Sequence, residues 1–168
     1  MRIGIGEKTK FMKILNRFFP EMTLTSLNGI SIDSRMIIPG DIFLPLKGNN
    51  YDGHDFIGDA VNSGAKLVFS EKEIDIPVQY IQVESINECL KNLALEYRKN
   101  FSLPVMGITG TNGKTTTKEL LYNVLNQKLK CMKTEGNYNS IVGMTLSLFA
   151  LEDDIEFCIL EMGSGMPG

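Results

Sequence analysis

The sequence has no tryptophan, only one histidine and only three cysteines among its 168 residues. Cys89, Cys131 and Cys158 lie far apart, form no C-x-x-C pair and are odd in number, which disfavours both a disulfide framework and a zinc site. We therefore expect them to be small core residues of a protein in a reducing compartment. With His54 as the single histidine, the sequence offers no convincing Ser-His-Asp or Cys-His arrangement for nucleophilic catalysis.

Excess charge and long apolar runs are also missing. Seventeen basic against twenty acidic residues give a formal net charge of −3, so no overall field favours nucleic acid or an anionic membrane. The longest largely apolar stretch, residues 141–151, is well short of the roughly 20 residues that span a bilayer, and residues 1–13 carry charges that a secretory signal lacks. The sequence predicts a cytoplasmic protein without nucleic acid or membrane partners.

The sequence does contain a glycine-rich turn between an apolar strand pattern and an amphipathic helix pattern, within residues 104–125. Backbone N–H groups in such a turn, together with the positive end of the following helix, form a cradle for phosphate. Lys114 is expected to reach the outer phosphates, and the Thr115 hydroxyl to coordinate Mg²⁺. The predicted ATP-binding residues are Gly110, Thr111, Asn112, Gly113, Lys114, Thr115 and Thr116.

This turn is a shorter variant of the strict P-loop pattern. The strict pattern requires glycine five positions before Gly113, where the chain has Ile108, and Gly107 misses that position by one residue. Because one hydroxyl is enough for the metal, Thr116 and Thr117 also fit a role in helix initiation and packing. The strand before the turn and the helix after it favour a true nucleotide-binding loop.

Hydrophobic periodicity predicts an α/β fold in two parts. Residues 1–102 predict a small mixed α/β domain, with Phe56 facing its core and Pro45 marking an irregular or edge strand. Residues 103–168 follow the order β-α-β-α-β, which predicts the parallel sheet of a P-loop-type ATPase domain. Three strands are few for such a sheet, so the chain is expected to stop inside this second domain. The predicted helices cover about residues 11–19, 56–61, 86–97, 114–128 and 141–150, and the predicted strands cover residues 30–33, 42–46, 66–69, 78–83, 105–108, 131–134 and 156–161.

The last predicted strand ends at Glu161. Because ligands of open α/β sheets lie at the carboxyl ends of the strands, Glu161 is expected to face Lys114 and Thr115 and to bind Mg²⁺ directly or through water. The alternative is a solvated glutamate in a surface ion pair. We predict Lys114, Thr115 and Glu161 as the catalytic group, with Thr115 and Glu161 as the metal ligands.

Four motifs resemble those of the Mur ligase family: DSR followed by PGDIFLPLKG and DGHDF within 33–56, GTNGKTTT at 110–117, EGNYNSIVG at 135–143, and EMGSGMPG at 161–168. The motifs keep the family's order and cover nearly the whole chain from about Gly29. The family loop commonly reads Asn-x-Asn-Asn, whereas this chain has Ser140 in the last position. The strand-end motif resembles that of the members which add D-alanyl-D-alanine to UDP-N-acetylmuramoyl-tripeptide in cytoplasmic peptidoglycan precursor synthesis.

The resemblance implies a nucleotide-binding N-terminal domain, a central ATPase domain and a C-terminal domain that closes over ATP and the incoming amine. This chain resembles the first domain and roughly the opening third of the second. The implied protein is an ATP- and Mg²⁺-dependent amide ligase that acts through an acyl phosphate and is a monomer at full length; these residues alone are not expected to form the amide bond. By resemblance, the substrate-binding residues are Ser34, Arg35, Lys47 and Gly48 at the uridine-diphosphate site, and Asn137 and Asn139 near the crevice between nucleotide and sugar substrate.

Other functions stay open at this point. The family members that add the third residue usually carry Glu-Val-Ser-Ser-His at the strand end, and folylpolyglutamate synthetases usually have glycine where this chain has Thr115. A noncatalytic module that holds a nucleotide or a UDP-sugar would not need the C-terminal domain. A stand-alone P-loop NTPase would need a complete sheet and a water-positioning group, and the sequence shows neither.

Several predicted site residues also have simpler structural interpretations. His54 could cap the following helix, which we favour over a substrate contact. Arg35 could pair with an acidic neighbour, and Lys47 could be solvated. Asn137 and Asn139 could serve only to support the loop geometry and contact no ligand, because asparagine tolerates left-handed backbone.

Overall fold

The computed structural model describes residues 1–48 and 50–163 of the chain. Within these ranges, no helix has both the length and the apolar character needed to cross a membrane. The helices are α1 (Lys8–Phe18), α2 (Ile57–Asn62), α3 (Ile86–Arg98), α4 (Lys114–Leu125) and α5 (Ile141–Phe149). The strands are β1 (Arg2–Gly4), β2 (Gly29–Ser31), β3 (Ile42–Phe43), β4 (Leu67–Ser70), β5 (Gln79–Gln82), β6 (Val105–Ile108), β7 (Cys131–Lys133) and β8 (Phe157–Glu161).

The first five strands form one sheet in the order β1-β2-β3-β4-β5. Only β1 is antiparallel to its neighbour; the other pairs are parallel. Of the two alternatives predicted for the strand near Pro45, the edge position is wrong, because β3 lies between β2 and β4. The irregular alternative agrees with β3, which has only two residues. This strand ends at Phe43 before the proline, so no ladder hydrogen bond is lost. The sequence pattern missed β1, whose three residues include a charge and a glycine.

The last three strands form a second sheet in the order β6-β8-β7, with all neighbours parallel. Helix α4 connects β6 to β7 and α5 connects β7 to β8, which confirms the predicted β-α-β-α-β order and the mixed α/β class. Because β8 lies between the other two strands, its carboxyl end is next to the carboxyl end of β6. The turn that follows β6 therefore begins beside the last residue of β8.

Buried aromatic rings connect the two sheets through their helices. Tyr97 of α3 contacts Phe11 of α1 and Phe149 of α5 at ring-centroid distances of 6.1 and 5.7 Å. Its hydroxyl accepts a hydrogen bond from the Glu7 backbone N–H and donates one to the Leu151 carbonyl, each 2.8 Å long. The predicted boundary at residues 102 and 103 remains a prediction, and the apolar core is continuous across it.

Phe56 differs from the sequence-based expectation of a core position. A turn of 3-10 helix (Gly53–Phe56) precedes α2, and the Asp52 carboxylate caps it by accepting a hydrogen bond from the His54 N–H. Phe56 is therefore not on the buried face of α2, and its side chain is 41% exposed. Ile57, the first residue of α2, takes the core position instead.

The three cysteines are free thiols, of which Cys131 and Cys158 are buried. Burial raises the pKa of Cys89 to about 11 and that of Cys158 to about 12. Because the thiolate is the reactive form, we expect alkylation of the native chain by iodoacetamide at pH 8 to be at least about 100-fold slower than that of free cysteine. Mass spectrometry over time measures this, and the chain in denaturant serves as the fast control. Rapid labelling of native Cys89 would contradict the prediction.

Candidate functional site

The predicted phosphate loop follows β6 directly and leads into α4. Gly110 and Gly113 adopt positive φ angles of 149° and 76°. An added Cβ at Gly113 would meet nothing within 4 Å, so glycine is required there by the left-handed backbone and not by lack of space. This conformation turns the chain into α4, which begins at Lys114.

The loop offers backbone donors at the start of α4. Among the described residues, none of the N–H groups of Thr111, Asn112 and Gly113 donates to a backbone acceptor. The first turn of α4 adds further N–H groups that have no acceptor within the helix. The Lys114 ammonium lies across the loop and donates to the Gly110 carbonyl over 2.6 Å. Amide donors, a helix N-terminus and a lysine together form an anion-binding concavity.

Glu161 lies beside this loop, as the sequence predicts. It is paired with Ile108 in the register of β8 and β6, and it is 1% exposed. Its Oε2 accepts a hydrogen bond of 2.9 Å from the Thr115 hydroxyl, and its Oε1 accepts one of 3.0 Å from the Asn139 amide. The alternative of a solvated surface glutamate is therefore wrong, because the carboxylate is buried and each of its oxygens accepts a hydrogen bond from another side chain.

The ionised form of Glu161 is favoured despite its burial. Burial by itself raises the pKa of the carboxyl, but the hydrogen bonds from Asn139, Thr115 and Lys118 outweigh it and lower the pKa below its ordinary value. Glu161 is therefore an anion at neutral pH, which is the form that binds a divalent cation.

Lys118 is a member of this group that sequence reasoning missed. Its side chain is 0% exposed, and its ammonium lies 3.2 Å from Glu161 Oε2 and donates to the Gly136 carbonyl over 2.6 Å. A lysine in a helix usually predicts a solvated position. The available signal was spacing, because Lys118 follows Lys114 by four residues and Thr115 by three, which places all three on one face of α4.

These residues fit the predicted Mg²⁺ site. A hydroxyl and an ionised carboxylate at the base of a phosphate loop are the oxygen donors that this ion accepts, with the remaining positions filled by phosphate and water. Across the described ranges 1–48 and 50–163, no three His, Cys, Asp or Glu side chains are close enough to hold a metal ion together. Thr115 and Glu161 would thus offer Mg²⁺ one hydroxyl and one carboxylate, a donor set suited to a metal that arrives with a nucleotide.

The loop between β7 and α5 is attached to Glu161 through Asn139. Besides its side-chain hydrogen bond, Asn139 accepts a backbone hydrogen bond of 2.8 Å from Gly163. Asn137 is exposed and accepts a backbone hydrogen bond of 2.7 Å from Asn139. Asn139 is therefore part of the Glu161 group, whereas Asn137 presents its side chain to solvent. The final residues of the strand-end motif, 164–168, lie outside the described residues.

Ser140 is the N-cap of α5, and its hydroxyl accepts a hydrogen bond of 3.1 Å from the Gly143 N–H. Serine and asparagine are about equally good N-caps, so the departure from the family's Asn-x-Asn-Asn loop preserves this function. We expect Ser140→Ala to lower the free energy of unfolding by about 1 kcal/mol, and Ser140→Asn to change it by only a few tenths. Urea denaturation measures both, with Ser102→Ala at an exposed position as the control. Equal losses for alanine and asparagine would contradict the capping role.

A separate cleft of about 560 Å³ opens on the first sheet, and the predicted residues Ser34 and Arg35 line it. Arg35 binds Asp33 through two hydrogen bonds of 2.9 and 2.7 Å, which lower the pKa of Asp33 to about 2. The Arg35 side chain is 86% exposed at the rim of the cleft, and its guanidinium has further N–H donors that can meet an anion. Sequence reasoning missed the aromatic residues of this cleft, Tyr51 and Phe56.

Lys47 and Gly48 do not line this cleft. Lys47 is exposed and pairs through its backbone with Asp52, and the Gly48 N–H donates to the Tyr51 carbonyl over 2.9 Å. These two residues begin the loop that carries Tyr51 to the cleft. Their predicted contact with a uridine diphosphate stays a prediction.

His54 has a structural role, as we favoured, but the predicted helix cap is wrong: Asp52 caps the 3-10 turn, and no side chain caps α2. Its Nε2 accepts a hydrogen bond of 3.2 Å from the Glu71 N–H, so its Nδ1 carries the proton and donates to Asp52 over 2.7 Å. The His54 backbone N–H and Lys72 also donate to Asp52. The hydrogen bonds from the His54 N–H, from Lys72 and from the His54 ring together lower the pKa of that carboxyl. Both ring nitrogens are engaged, and the imidazole links the 3-10 turn to the end of β4.

Comparisons with known families and proteins agree with this geometry. Residues 26–109 match the family described as Mur ligase family, catalytic domain, and residues 108–168 match the Mur ligase middle domain. UDP-N-acetylmuramoyl-tripeptide--D-alanyl-D-alanine ligase from Bacillus subtilis (strain 168) is 34% identical over 152 residues, which are 89% of this chain and 33% of that protein. The same-named ligase from Synechocystis is 38% identical over 139 residues, which are 81% of this chain and 31% of that protein.

Solved structures show the same relationship. The MurF ligase from Thermotoga maritima in complex with ADP has 40% sequence identity and a TM-score of 0.74, covering 83% of this chain and 33% of that one. A MurF structure from Acinetobacter baumannii has 28% identity and a TM-score of 0.85, covering 99% of this chain and 37% of that one. The chain therefore spans about a third of the length of the relatives that it matches.

Proposed function

Because this chain belongs to the Mur ligase family, we propose that it provides the UDP-sugar-binding part and the phosphate loop of an ATP-dependent ligase. The proposed reaction joins D-alanyl-D-alanine to UDP-N-acetylmuramoyl-tripeptide, which is the activity named for its relatives. The observation that carries the proposal is the hydrogen bond from the hydroxyl of Thr115, an exposed residue, to the buried carboxylate of Glu161 at the base of the loop. It brings a hydroxyl and an ionised carboxylate to the place where a nucleotide's phosphates and their metal would lie.

The chemistry explains why such a site is needed. A carboxylate is a poor electrophile, so its oxygen first attacks the γ-phosphorus of ATP and ADP leaves, which gives an acyl phosphate. The amine of D-alanyl-D-alanine then attacks the acyl carbon, loses a proton and expels phosphate. Bound Mg²⁺ would neutralise phosphate charge during the first step. Neither step requires a nucleophilic side chain, in agreement with a sequence that has one histidine.

In this proposal the residues of the chain bind and orient the phosphates. The loop amides and the Lys114 ammonium donate to phosphate oxygens as negative charge moves from the carboxylate to ADP. Thr115 and Glu161 hold the metal, and Asn139 fixes the direction of the Glu161 carboxylate. The relative from Thermotoga maritima, described with ADP, supports this use of the loop.

The cleft at Ser34 and Arg35 is the proposed site of the uridine diphosphate. It combines an arginine at the rim with the aromatic rings of Tyr51 and Phe56, a combination suited to a diphosphate attached to a planar base. We further propose a cytoplasmic location, where UDP-activated sugars are available, and a monomeric full-length protein.

Calorimetric titration of the chain tests both sites. We expect ADP with Mg²⁺, and separately UDP-N-acetylmuramoyl-tripeptide, to bind with one site each. Arg35→Ala should weaken binding of the UDP-sugar only, whereas Lys128→Ala, at an exposed lysine just beyond α4, should change the affinity for neither ligand. Absence of ADP binding would refute the proposal that this loop binds the phosphates of a nucleotide. ATP hydrolysis without an acceptor would favour a stand-alone NTPase instead.

A ligase is distinguished from a noncatalytic binding module by its products. Protein isolated from its source with an antibody against this segment is expected to release phosphate only when D-alanyl-D-alanine and the tripeptide substrate are both present. Tight binding of both ligands without such release would favour the binding module.

A further inference from the structure

The buried ammonium of Lys118 contacts the proposed metal ligand Glu161 but has no role in the proposed reaction. Lys118 lies within α4, and 0% of its side chain is exposed. Its nearest partners are the Gly136 carbonyl at 2.6 Å and Glu161 Oε2 at 3.2 Å, while Glu119 Oε1 lies at 3.7 Å. Because a buried ammonium is costly unless it is paired, this position requires a specific compensation.

Lys118 and Thr115 share the same oxygen of the carboxylate. Glu161 Oε2 accepts the Thr115 hydroxyl and also faces the Lys118 ammonium, while Oε1 is engaged by Asn139. A cation held by Thr115 and Glu161 would therefore lie close to a fixed positive charge. Because the side chains of Lys118 and Glu161 are buried, solvent screens this repulsion between like charges less than it would at the surface.

The charge balance of the surroundings points the same way. Glu119 forms an ion pair with Lys133, and Glu161 is the other carboxylate of the network. The Lys118–Glu161 and Lys133–Glu119 pairs are each neutral, and Lys114 at the loop adds one positive charge, which gives a net charge of +1. A site with this balance attracts polyphosphate and disfavours a bare divalent cation.

We propose that Lys118 is the internal counter-ion of Glu161 and that it prevents the site from binding a divalent cation before the nucleotide arrives. In this arrangement the lysine neutralises the buried carboxylate, and the negative phosphates supply the charge that admits the metal. The shortage of protein ligands agrees with it, since the described residues contribute no cluster of three metal-binding side chains. The inference rests on the proposed nucleotide site and adds an order of binding, in which the metal does not bind before the nucleotide.

Electron paramagnetic resonance with Mn²⁺ as the probe tests this on the chain itself. In the wild type, Mn²⁺ alone should bind weakly, and saturating ADP should strengthen Mn²⁺ binding at least about tenfold. In Lys118→Met, Mn²⁺ alone should bind at least about tenfold tighter than in the wild type. ADP should therefore strengthen Mn²⁺ binding by a smaller factor in this variant. Lys118→Arg keeps the charge and should behave like the wild type. Lys128→Met removes an exposed lysine just beyond α4 and controls for net charge.

The outcomes separate this inference from the proposed function. If the wild type does not bind ADP, the nucleotide site itself is refuted. If ADP binds but Lys118→Met leaves the affinity for Mn²⁺ alone unchanged or weaker, Lys118 is only a structural or positioning residue and the proposal is overturned. Circular dichroism checks that Lys118→Met folds. If it does not fold, Lys118→Gln replaces it, because glutamine is neutral but can still donate a hydrogen bond, and Mn²⁺ alone should again bind tighter than in the wild type. Failure of both neutral variants to fold would also count against a role in metal binding.

Discussion

Lys114→Met is expected to lower the affinity for ADP by about 10- to 100-fold, which corresponds to the loss of one charge-assisted hydrogen bond. The folded chain should lose little stability, because the side chain is partly exposed and its hydrogen bond in the described structure goes to Gly110 of its own loop. An effect on binding without an effect on folding is the signature of a residue directed at a ligand.

Calorimetric titration with ADP and Mg²⁺ measures this loss, and thermal unfolding without ligand provides the comparison. Lys128→Met is the matched control, since it removes the same charge from an exposed position. Lys114→Arg should retain part of the affinity because it keeps the charge but changes the donor geometry. Equal ADP affinities for Lys114→Met and the wild type would show that the backbone amides alone hold the phosphates.

The largest loss of stability is expected at Tyr97, which is fully buried where α1, α3 and α5 meet. Tyr97→Ala should lower the free energy of unfolding by about 3–5 kcal/mol, because it leaves a cavity among Phe11, Phe101 and Phe149. Tyr97→Phe keeps the ring but leaves the Glu7 N–H and the Leu151 carbonyl without this hydroxyl, and should cost about 1–3 kcal/mol.

Urea denaturation at pH 7 measures both variants of Tyr97, and Tyr51→Phe, at a residue that is 62% exposed, is the control. The pH dependence gives a second readout. Burial raises the pKa of Tyr97 above its ordinary value of 10.0, so its contribution to stability is complete below pH 10 and is lost as the pH rises through the folded-state value. Tyr97→Phe should lack this alkaline loss. A phenylalanine variant as stable as the wild type would refute the role of the hydroxyl.

Much of the geometry of the proposed nucleotide site was predictable because its elements are close in the sequence. Glycines at 110 and 113, a lysine and a threonine, placed between an apolar strand and a helix, predict a phosphate loop from local spacing alone. The position of Glu161 followed from one further rule, that the strands are parallel and their carboxyl ends share an edge. Its burial beside Thr115 agrees with that prediction.

The predictions for the cleft were less complete, and the reason is physical. Tyr51 and Phe56 look like an exposed loop residue and a core residue in the sequence, yet both line the cleft with Arg35. Their placement depends on the loop that begins at Lys47 and on the 3-10 turn capped by Asp52. Neither segment shows a hydrophobic periodicity in the sequence from which it could be predicted. Strand β1 was missed for a similar reason, since three residues are too few to show alternation.

The sequence by itself determined the order of helices and strands in the second sheet, the phosphate loop and the family, because these depend on residue type and spacing along the chain. Only the tertiary structure decided that Lys118 is buried against Glu161 and that Tyr97 connects the helices of both sheets. A lysine in a helix and a tyrosine in an apolar stripe have the same local pattern whether exposed or buried. Their environment comes from partners distant in the sequence, such as the Gly136 and Leu151 carbonyls, which the fold alone brings within hydrogen-bonding distance.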